Sequence, residues 1–242
     1  MGTITTSQYA RMANAVYEID HHESSESYIV QDFKTVLFSD PVGWGATKTA
    51  FKGCVYLHMA EREAVIAFQG TVPSKGGDVL ADAQIVAGLM PQYSSCAFRL
   101  FKRLKETYPN HNVSLVGHSL GGAVAQIIGH WTGEPFVTFN APGMWGHIQA
   151  SKLVPPKIST DSARSRSGTS IGTALDKHRA STGRNFRNVF DPVSAYGSHY
   201  GPVTRFWGTG IHSMDDIERR IISSRWANLN PYDSRHREWG EL

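Results

Sequence analysis

Short, mostly apolar runs alternate with helical apolar stripes along the middle of the chain. Residues 64–68, 113–116 and 136–139 are runs of strand length, and each is followed closely by a glycine or a turn sequence. The segments between them, 95–109 and 120–131, space their apolar residues as a helix with one buried face does. This order predicts strand–helix–strand units, which form a parallel sheet with helices on both faces.

The flanking segments extend the α/β pattern to a single domain over residues 1–242. Residues 148–183 are rich in Ser, Arg and Lys and poor in aromatic residues, which indicates a basic insertion, and residues 228–242 have the composition of a polar C-terminal tail. The remaining elements that the pattern predicts are helices over 7–19 and 213–224 and strands over 27–40, 48–60, 185–190 and 203–208.

Composition favours a globular protein, with 40% hydrophobic and 19% charged residues in 242. No apolar stretch approaches the roughly 20 residues of a membrane span, and the N-terminus lacks the pattern of a secretory signal. We therefore expect a protein that is cytoplasmic in the producing cell or exported without a cleavable signal peptide. The two cysteines, Cys54 and Cys96, are expected to be isolated buried thiols.

The net charge of +3 is unevenly distributed. Eight Lys and Arg residues stand against two Asp residues between Ser151 and Phe190, so this stretch is strongly basic while the remainder is slightly acidic. Such a patch can favour an anionic surface, although a solvated loop has the same composition. No nucleic-acid-binding motif accompanies it, and we expect no nucleic-acid partner.

One serine lies at a crowded strand-to-helix turn. Residues 117–121, GHSLG, fit the pattern G-x-S-x-G directly after a predicted strand and before a predicted helix. In that context the two glycines leave room for neighbouring backbone, and the serine hydroxyl projects above the sheet as a nucleophile. A plain helix cap is the alternative role of Ser119. His118 is expected to support the turn rather than to act as the base.

A nucleophilic serine needs a base and an acid, which follow it in the chain on this kind of fold. Asp191 directly follows a predicted strand and precedes a proline. The other later acids lack this context, because Asp161 and Asp176 lie in the basic insertion and Asp215 and Asp216 lie in a predicted helix. Asp191 is therefore the predicted acid, with a turn-capping role as the alternative.

Three histidines follow Asp191, and chain geometry separates them. His199 follows it by only 8 residues, whereas a parallel crossover takes about a dozen or more. His212 comes after one further predicted strand and a flexible GTG sequence, so it is the predicted base. His199 and His236 remain alternatives. For the oxyanion hole, the backbone N–H groups of Thr71, after Gly70, and Leu120, beside Ser119, are the expected donors.

These segments together resemble the class 3 lipase family of α/β-hydrolases. The resemblance rests on AFQGT, GGDVLADAQIVAG, VSLVGHSLGG, FVTFNAPG, NVFDPV and GIHSMDD, from about residue 62 to 215. It implies the α/β-hydrolase fold, with Ser119, Asp191, His212 and Thr71 matching the family's nucleophile, acid, base and oxyanion residue. FNAPG and HSMD look most like the bacterial phospholipase-like branch, which includes antibacterial effectors delivered without signal peptides.

The resemblance implies a lipase or phospholipase A that cleaves carboxylic esters of lipids without a metal or cofactor. Phospholipid is favoured over triglyceride, transient contact with a membrane surface is expected, and an effector would have an inhibitor (immunity) protein as partner.

A mobile lid would match Val72 to Asp82, and Leu89, Met90 and Tyr93 are either acyl-chain wall or ordinary core. Two acids four apart, Asp78 and Asp82, are weak evidence for a cation. An acyltransferase or thioesterase with the same triad, or a non-catalytic binding module, are the alternatives.

Overall fold

The computed structural model describes residues 4–18, 32–36, 52–70, 79–149, 182–207 and 212–233. The described strands form one seven-stranded sheet in chain order, in which the first three are antiparallel neighbours and the remaining pairings are parallel. Within these residues, no helix is both long and apolar enough to cross a membrane. The strands are β1 (Lys34–Val36), β2 (Gly53–His58), β3 (Glu63–Phe68), β4 (Asn112–His118), β5 (Phe136–Phe139), β6 (Gly183–Asn188) and β7 (Val203–Phe206).

Helices cover both faces of this sheet, as the sequence predicts. The helices are α1 (Thr6–Ala15), α2 (Val79–Thr107), α3 (Leu120–Thr132), α4 (Trp145–Gln149), α5 (Pro192–Ala195) and α6 (Met214–Ser223). Strand β3 shows why two faces are needed, since all six of its residues are buried. Ile66 and Phe68 pack in a core with residues of α2 and α3, whereas Val65 and Ala67 pack in a core with residues of α1 and α6.

The arrangement is the α/β-hydrolase fold. Because β3 to β7 run parallel, their carboxyl ends meet at one edge of the sheet. The loops that follow β4 and β6 carry Ser119 and Asp191 to this edge. The fold therefore brings together side chains that are far apart in the sequence.

Helix α2 begins earlier than the sequence pattern predicts. Its predicted start near residue 95 is wrong, because the helix begins at Val79 and continues through Pro91 before ending at Thr107. Met90 and Tyr93 are buried in the core beside the sheet. Their burial offsets the hydrogen bond that an internal proline removes from a helix.

The start of the polar C-terminal tail packs on the domain. The backbone carbonyl of Leu229 accepts hydrogen bonds from the backbone and the hydroxyl of Thr6, and the Tyr232 hydroxyl donates to the Phe136 carbonyl. These contacts tie residues near the C-terminus to α1 and β5. The tail beyond Asp233, most of the basic insertion, and residues 72–78 of the predicted lid lie outside the described residues.

Two further sequence predictions concern buried groups. Cys54 and Cys96 are buried and neither forms a disulfide, as expected. Burial raises the pKa of the Cys54 thiol to about 12, so it remains protonated at neutral pH. Met90 and Tyr93 belong to the core, which was one of the two roles considered for them, and the side chain of Leu89 is not described.

Candidate active site

Ser119 lies in a strained turn between β4 and α3. Its backbone has φ 56° and ψ −127°, which a residue with a side chain rarely adopts. The flanking glycines explain how the turn fits. A β-carbon on Gly117 would overlap the backbone of Gly121, and one on Gly121 would overlap the carbonyl of Phe68. The crowding that the sequence predicts for the two glycines is therefore present.

The structure brings His212 between Ser119 and Asp191. His212 Nε2 lies 2.7 Å from Ser119 Oγ, and His212 Nδ1 lies 3.0 Å from Asp191 Oδ1. An ionised carboxylate only accepts hydrogen bonds, so Nδ1–H donates to Asp191 and Nε2 is left to accept the Ser119 hydroxyl proton. Asp191 and Ser119 are buried, whereas the His212 side chain is 12% exposed. This geometry allows Ser119 to pass its hydroxyl proton to His212 while Asp191 orients the imidazole ring.

Asp191 is held by backbone groups as well as by His212. It caps α5, and its two carboxylate oxygens accept the backbone N–H groups of Val193 at 3.1 Å and Ser194 at 3.2 Å. Pro192 occupies the first turn of this helix, a position that suits proline because its missing N–H needs no partner there. The capping role that the sequence offered as an alternative therefore coexists with the contact to His212.

Two asparagines fix the loop that carries Asp191. Asn140, just after β5, accepts the backbone N–H of Asn188 with its side-chain oxygen at 2.7 Å. The Asn188 side chain in turn accepts the backbone N–H of Phe190 at 3.2 Å. Asn140 has a positive φ of 43°, a backbone conformation that asparagine tolerates better than most residues. Sequence reasoning did not identify either asparagine, although both stand in the FNAPG and NVFDPV segments.

A tyrosine from the N-terminal region reaches the turn that holds Ser119. The Tyr17 hydroxyl lies 2.9 Å from His118 Nδ1 and accepts the backbone N–H of Gly70 at 3.1 Å. Since its oxygen accepts from Gly70, its hydrogen is available to donate to His118. Tyr17 thereby links the loop after β3 to the end of β4. Sequence reasoning missed Tyr17, because it precedes His118 by 101 positions and forms no local motif.

His118 remains neutral beside His212. Burial, followed by the nearby His212, lowers the pKa of His118 well below its ordinary value. The two rings lie 4.8 Å apart between centroids. With its Nδ1 occupied by the Tyr17 hydroxyl, the neutral ring carries its proton on Nε2. A neutral neighbour adds no positive charge beside His212, whose imidazole would have to become positive during general-base catalysis.

The two predicted oxyanion donors differ in what the structure describes. Leu120 is the first residue of α3, where a backbone N–H has no partner within the helix and points along the positive end of the helix dipole. Thr71 lies outside the described residues, and Gly70 is the last residue before it. A β-carbon on Gly70 would overlap the Tyr17 hydroxyl and the His118 carbonyl, so this loop approaches the turn closely.

The alternative residues are located elsewhere. His199 is buried, and its Nε2 contacts the Ala141 carbonyl at 2.8 Å. Asp215 accepts a hydrogen bond from Asn14, and Asp216 pairs with Arg219 on α6. The remaining alternatives, Asp161, Asp176 and His236, lie outside the described residues.

The described part of the chain shows no cluster of three or more His, Cys, Asp or Glu side chains suited to a metal ion. The acids considered for a cation, Asp78 and Asp82, cannot be placed: Asp78 lies outside the described residues, and the side chain of Asp82 is not described. For Val72–Asp82, the structure describes only that Val79–Asp82 form the start of α2.

Sequence comparison matches residues 8–169 to a model of a Tle-like phospholipase domain. The chain belongs to this phospholipase-like family. The matched region includes the turn with Ser119, whereas Asp191 and His212 lie beyond its end. Family membership agrees with the lipase resemblance of the motifs, and the bacterial effector branch remains a prediction.

Two curated relatives match a short part of the chain. ATG15 of Candida glabrata, which is named as a lipase, is 46% identical over 52 residues, which are 22% of this chain and 10% of that protein. ATG15 of Cryptococcus neoformans var. neoformans serotype D is 43% identical over 64 residues, 26% of this chain and 12% of that protein. The chain thus matches only about a tenth of the length of these relatives.

The fold is similar to that of a solved lipase structure. The Lip2 lipase from Yarrowia lipolytica superposes with a TM-score of 0.50 at 14% sequence identity, over 82% of this chain and 76% of that chain. At this identity the similarity concerns the fold, and it agrees with the α/β-hydrolase architecture described above.

Proposed function

We propose that this chain hydrolyses the carboxylic esters of lipids with Ser119 as nucleophile. The observation that carries the proposal is the chain of contacts from Asp191 through His212 to Ser119, at 3.0 and 2.7 Å. A strained serine alone would be a weak argument. A strained serine whose hydroxyl meets an imidazole that is held by a carboxylate has the arrangement that acyl transfer requires.

In this mechanism His212 Nε2 takes the hydroxyl proton as Ser119 Oγ attacks the ester carbonyl. Asp191 stabilises the resulting imidazolium and keeps the ring in the productive orientation. The backbone N–H groups of Leu120 and Thr71 would stabilise the oxyanion of the tetrahedral intermediate. His212 then protonates the departing alcohol or lysolipid, which leaves an acyl-enzyme on Ser119. Water, deprotonated by His212, attacks the acyl carbon and releases a fatty acid while Ser119 regains its proton.

Phospholipid is the favoured substrate class over triglyceride. The family description, a phospholipase domain, supports this preference. The basic character of the stretch from Ser151 to Phe190 supports it as well, because a phosphodiester headgroup is anionic and triglyceride carries no charge.

Fatty-acid release from three lipids tests the proposal. Vesicles of phosphatidylglycerol, vesicles of phosphatidylethanolamine and an emulsion of tributyrin are incubated with the wild type, Ser119→Ala and Ser223→Ala. Ser223 is an exposed serine at the end of α6 and serves as the matched control. We expect release by the wild type and Ser223→Ala, fastest from a phospholipid, and loss in Ser119→Ala. No release from any lipid, or equal release by Ser119→Ala and the wild type, contradicts the proposal.

A further inference from the structure

Two large aromatic side chains are exposed next to the candidate active site. Phe190 is 59% exposed and Trp207 is 57% exposed, and their rings meet edge to face with centroids 5.1 Å apart. Phe190 directly precedes Asp191, and Trp207 directly follows β7. Both positions belong to the carboxyl-end edge of the sheet, where Ser119 lies. Side chains of this size are usually more buried than this, and contiguous exposed apolar surface is a feature of interaction sites.

The exposed large apolar side chains are unevenly distributed over the described part of the protein. Tyr196, at the end of α5, is also exposed and follows Asp191 by five positions. Met59, in the turn between β2 and β3, is 60% exposed. It lies at the amino ends of the parallel strands, beside the start of β3 and away from Ser119. Among the described residues, three of the five exposed large apolar side chains therefore lie near the candidate active site.

Arginines accompany the aromatic side chains. Arg187 on β6 and Arg205 on β7 are direct neighbours in the sheet register. Like charges at such a position repel each other. Burial, followed by the charge of Arg205, lowers the pKa of Arg187. Arg220 on α6 donates a hydrogen bond from Nη1 to the Trp207 carbonyl at 3.2 Å. The Asp191 carboxylate raises the pKa of Arg187 and so already offsets part of this repulsion. A further anion would relieve the remaining repulsion between Arg187 and Arg205.

We propose that these aromatic and arginine side chains form a docking surface for an anionic phospholipid bilayer. Aromatic rings with a polar atom favour the boundary between headgroups and acyl chains, and guanidinium groups bind phosphate with two parallel hydrogen bonds. Docking here would turn the edge that holds Ser119 toward the lipid. The docking surface consists of Phe190, Tyr196, Trp207, Arg187, Arg205 and Arg220.

The docking surface rests on the proposed function, because a lipid-cleaving enzyme must reach its substrate. Binding to vesicles can nevertheless be measured separately from lipid hydrolysis. Binding is measured by co-sedimentation with phosphatidylglycerol–phosphatidylcholine vesicles in the Ser119→Ala background, so that the lipid is not consumed. Hydrolysis of a short-chain monomeric ester is measured in the active background. Vesicle binding then reports the docking surface, and the monomeric ester reports the catalytic residues.

The aromatic contribution is tested with the double variant Phe190→Ala/Trp207→Ala and with Met59→Ala as a control of equal exposure. We expect the double variant to bind vesicles at least about tenfold more weakly and to cleave the monomeric ester within about twofold of the active parent. Met59→Ala should change neither. Unchanged vesicle binding in the double variant overturns the proposal. Equal losses on vesicles and on the monomeric ester overturn it too, because the rings would then act through the fold around Asp191.

The charge contribution is tested with Arg205→Gln and with vesicles of phosphatidylcholine alone. We expect the Ser119→Ala protein to bind anionic vesicles more tightly than neutral ones. Arg205→Gln in the same background should reduce this ratio of affinities about fivefold. Equal binding to both vesicle types overturns the role of the arginines. If vesicles bind as expected but no lipid is hydrolysed by the active chain, the docking surface stands and the proposed function fails. If vesicle lipids are hydrolysed equally by the parent and the double variant, the reverse holds.

Discussion

Two polar clusters lie at opposite ends of the same sheet. At the carboxyl end, Ser119, His212 and Asp191 form one line of hydrogen-bonding contacts. At the amino end, a cavity of about 240 Å³ lies beside the first residues of β3 and β4 and just before β5. This amino-end cavity also contains hydroxyl, carboxylate and imidazole groups. Its polar lining includes Tyr9, Glu63, Lys105, His111, Ser114, Glu134 and Tyr232.

The amino-end cavity has the same groups in a different arrangement. Its serine, Ser114, contacts the Tyr9 hydroxyl at 2.9 Å rather than an imidazole. Burial raises the pKa of Glu63 and of Glu134, and their carboxyl groups contact Asn112 and Lys105 rather than an imidazole. His111 Nε2 has no hydrogen-bond partner among the described residues. Polar composition therefore does not distinguish the two ends, whereas the directed contacts and the strained backbone at Ser119 do.

The largest expected effect concerns the acid at the carboxyl end. Asp191→Asn should lower kcat by about 10⁴-fold, because an amide cannot stabilise the imidazolium and favours the wrong tautomer of His212. Glu63→Gln, the same kind of change in the amino-end cavity, should alter kcat less than about twofold. The measurement is hydrolysis of a monomeric ester, with circular dichroism to verify the fold. Similar losses in both variants would abolish the distinction between the two ends.

The next effect concerns Tyr17, which lies near the carboxyl end. Tyr17→Phe removes the donor to His118 and the acceptor for the Gly70 N–H, and it should lower kcat about tenfold with little change in KM. The loss arises because the loop after β3 and the turn at Ser119 are no longer linked. Steady-state kinetics on a monomeric ester measure it. A loss in KM alone would indicate that Tyr17 contacts substrate instead of positioning the loop.

Tyr9 provides the matched comparison at the amino end. Burial raises the pKa of both tyrosines well above the usual value, so both are protonated donors. Tyr9→Phe removes the hydrogen bond to Ser114 and should cost about 1 kcal/mol of unfolding free energy while leaving kcat unchanged. Urea unfolding and the ester assay together measure this. A fall in kcat without a fall in stability would connect the amino-end cavity to catalysis.

The smallest effect is a pH dependence at Glu63. Burial raises the pKa of Glu63 in the folded protein. As pH rises above the ordinary carboxyl range, the unfolded chain therefore loses this proton before the folded protein does. Stability from this group is thus present at low pH and is lost as pH rises through the folded pKa. Glu63→Gln should raise Tm relative to the wild type at pH 8, and the difference should vanish near pH 4. If Glu63→Gln is less stable than the wild type at pH 8, favourable contacts of the Glu63 carboxylate must outweigh the cost of burying its charge.

The elements of the sheet are predictable from local sequence to different degrees. Strands β3 to β5 and helix α3 follow the predicted positions closely, because continuous apolar runs and helical spacing are local signals. The start of α2 was missed because Pro91 is a local signal against a helix. Packing of Met90 and Tyr93 against the sheet outweighs that signal, and packing is not a local property.

The residues of the candidate site also differ in how far local sequence predicts them. Ser119 and Asp191 stand in recognisable local contexts, a crowded glycine turn and a capped turn after a strand. His212 required an argument about chain length between parallel strands. Tyr17, Asn140 and Asn188 have no local signature of their role, because each acts through a partner on a different element.

The sequence by itself determined the order of the strands and of the four longer helices, the turn at Ser119 and the residue types that the proposed acyl transfer needs. These depend on side-chain periodicity and on steric limits within a few residues of one another. Only the tertiary structure decided that His212 meets both Ser119 and Asp191, that Tyr17 reaches His118, and that Phe190 and Trp207 are exposed side by side. Hydrogen bonds and ring contacts act over a few ångströms, and only the folded sheet brings positions so distant in the chain within that range.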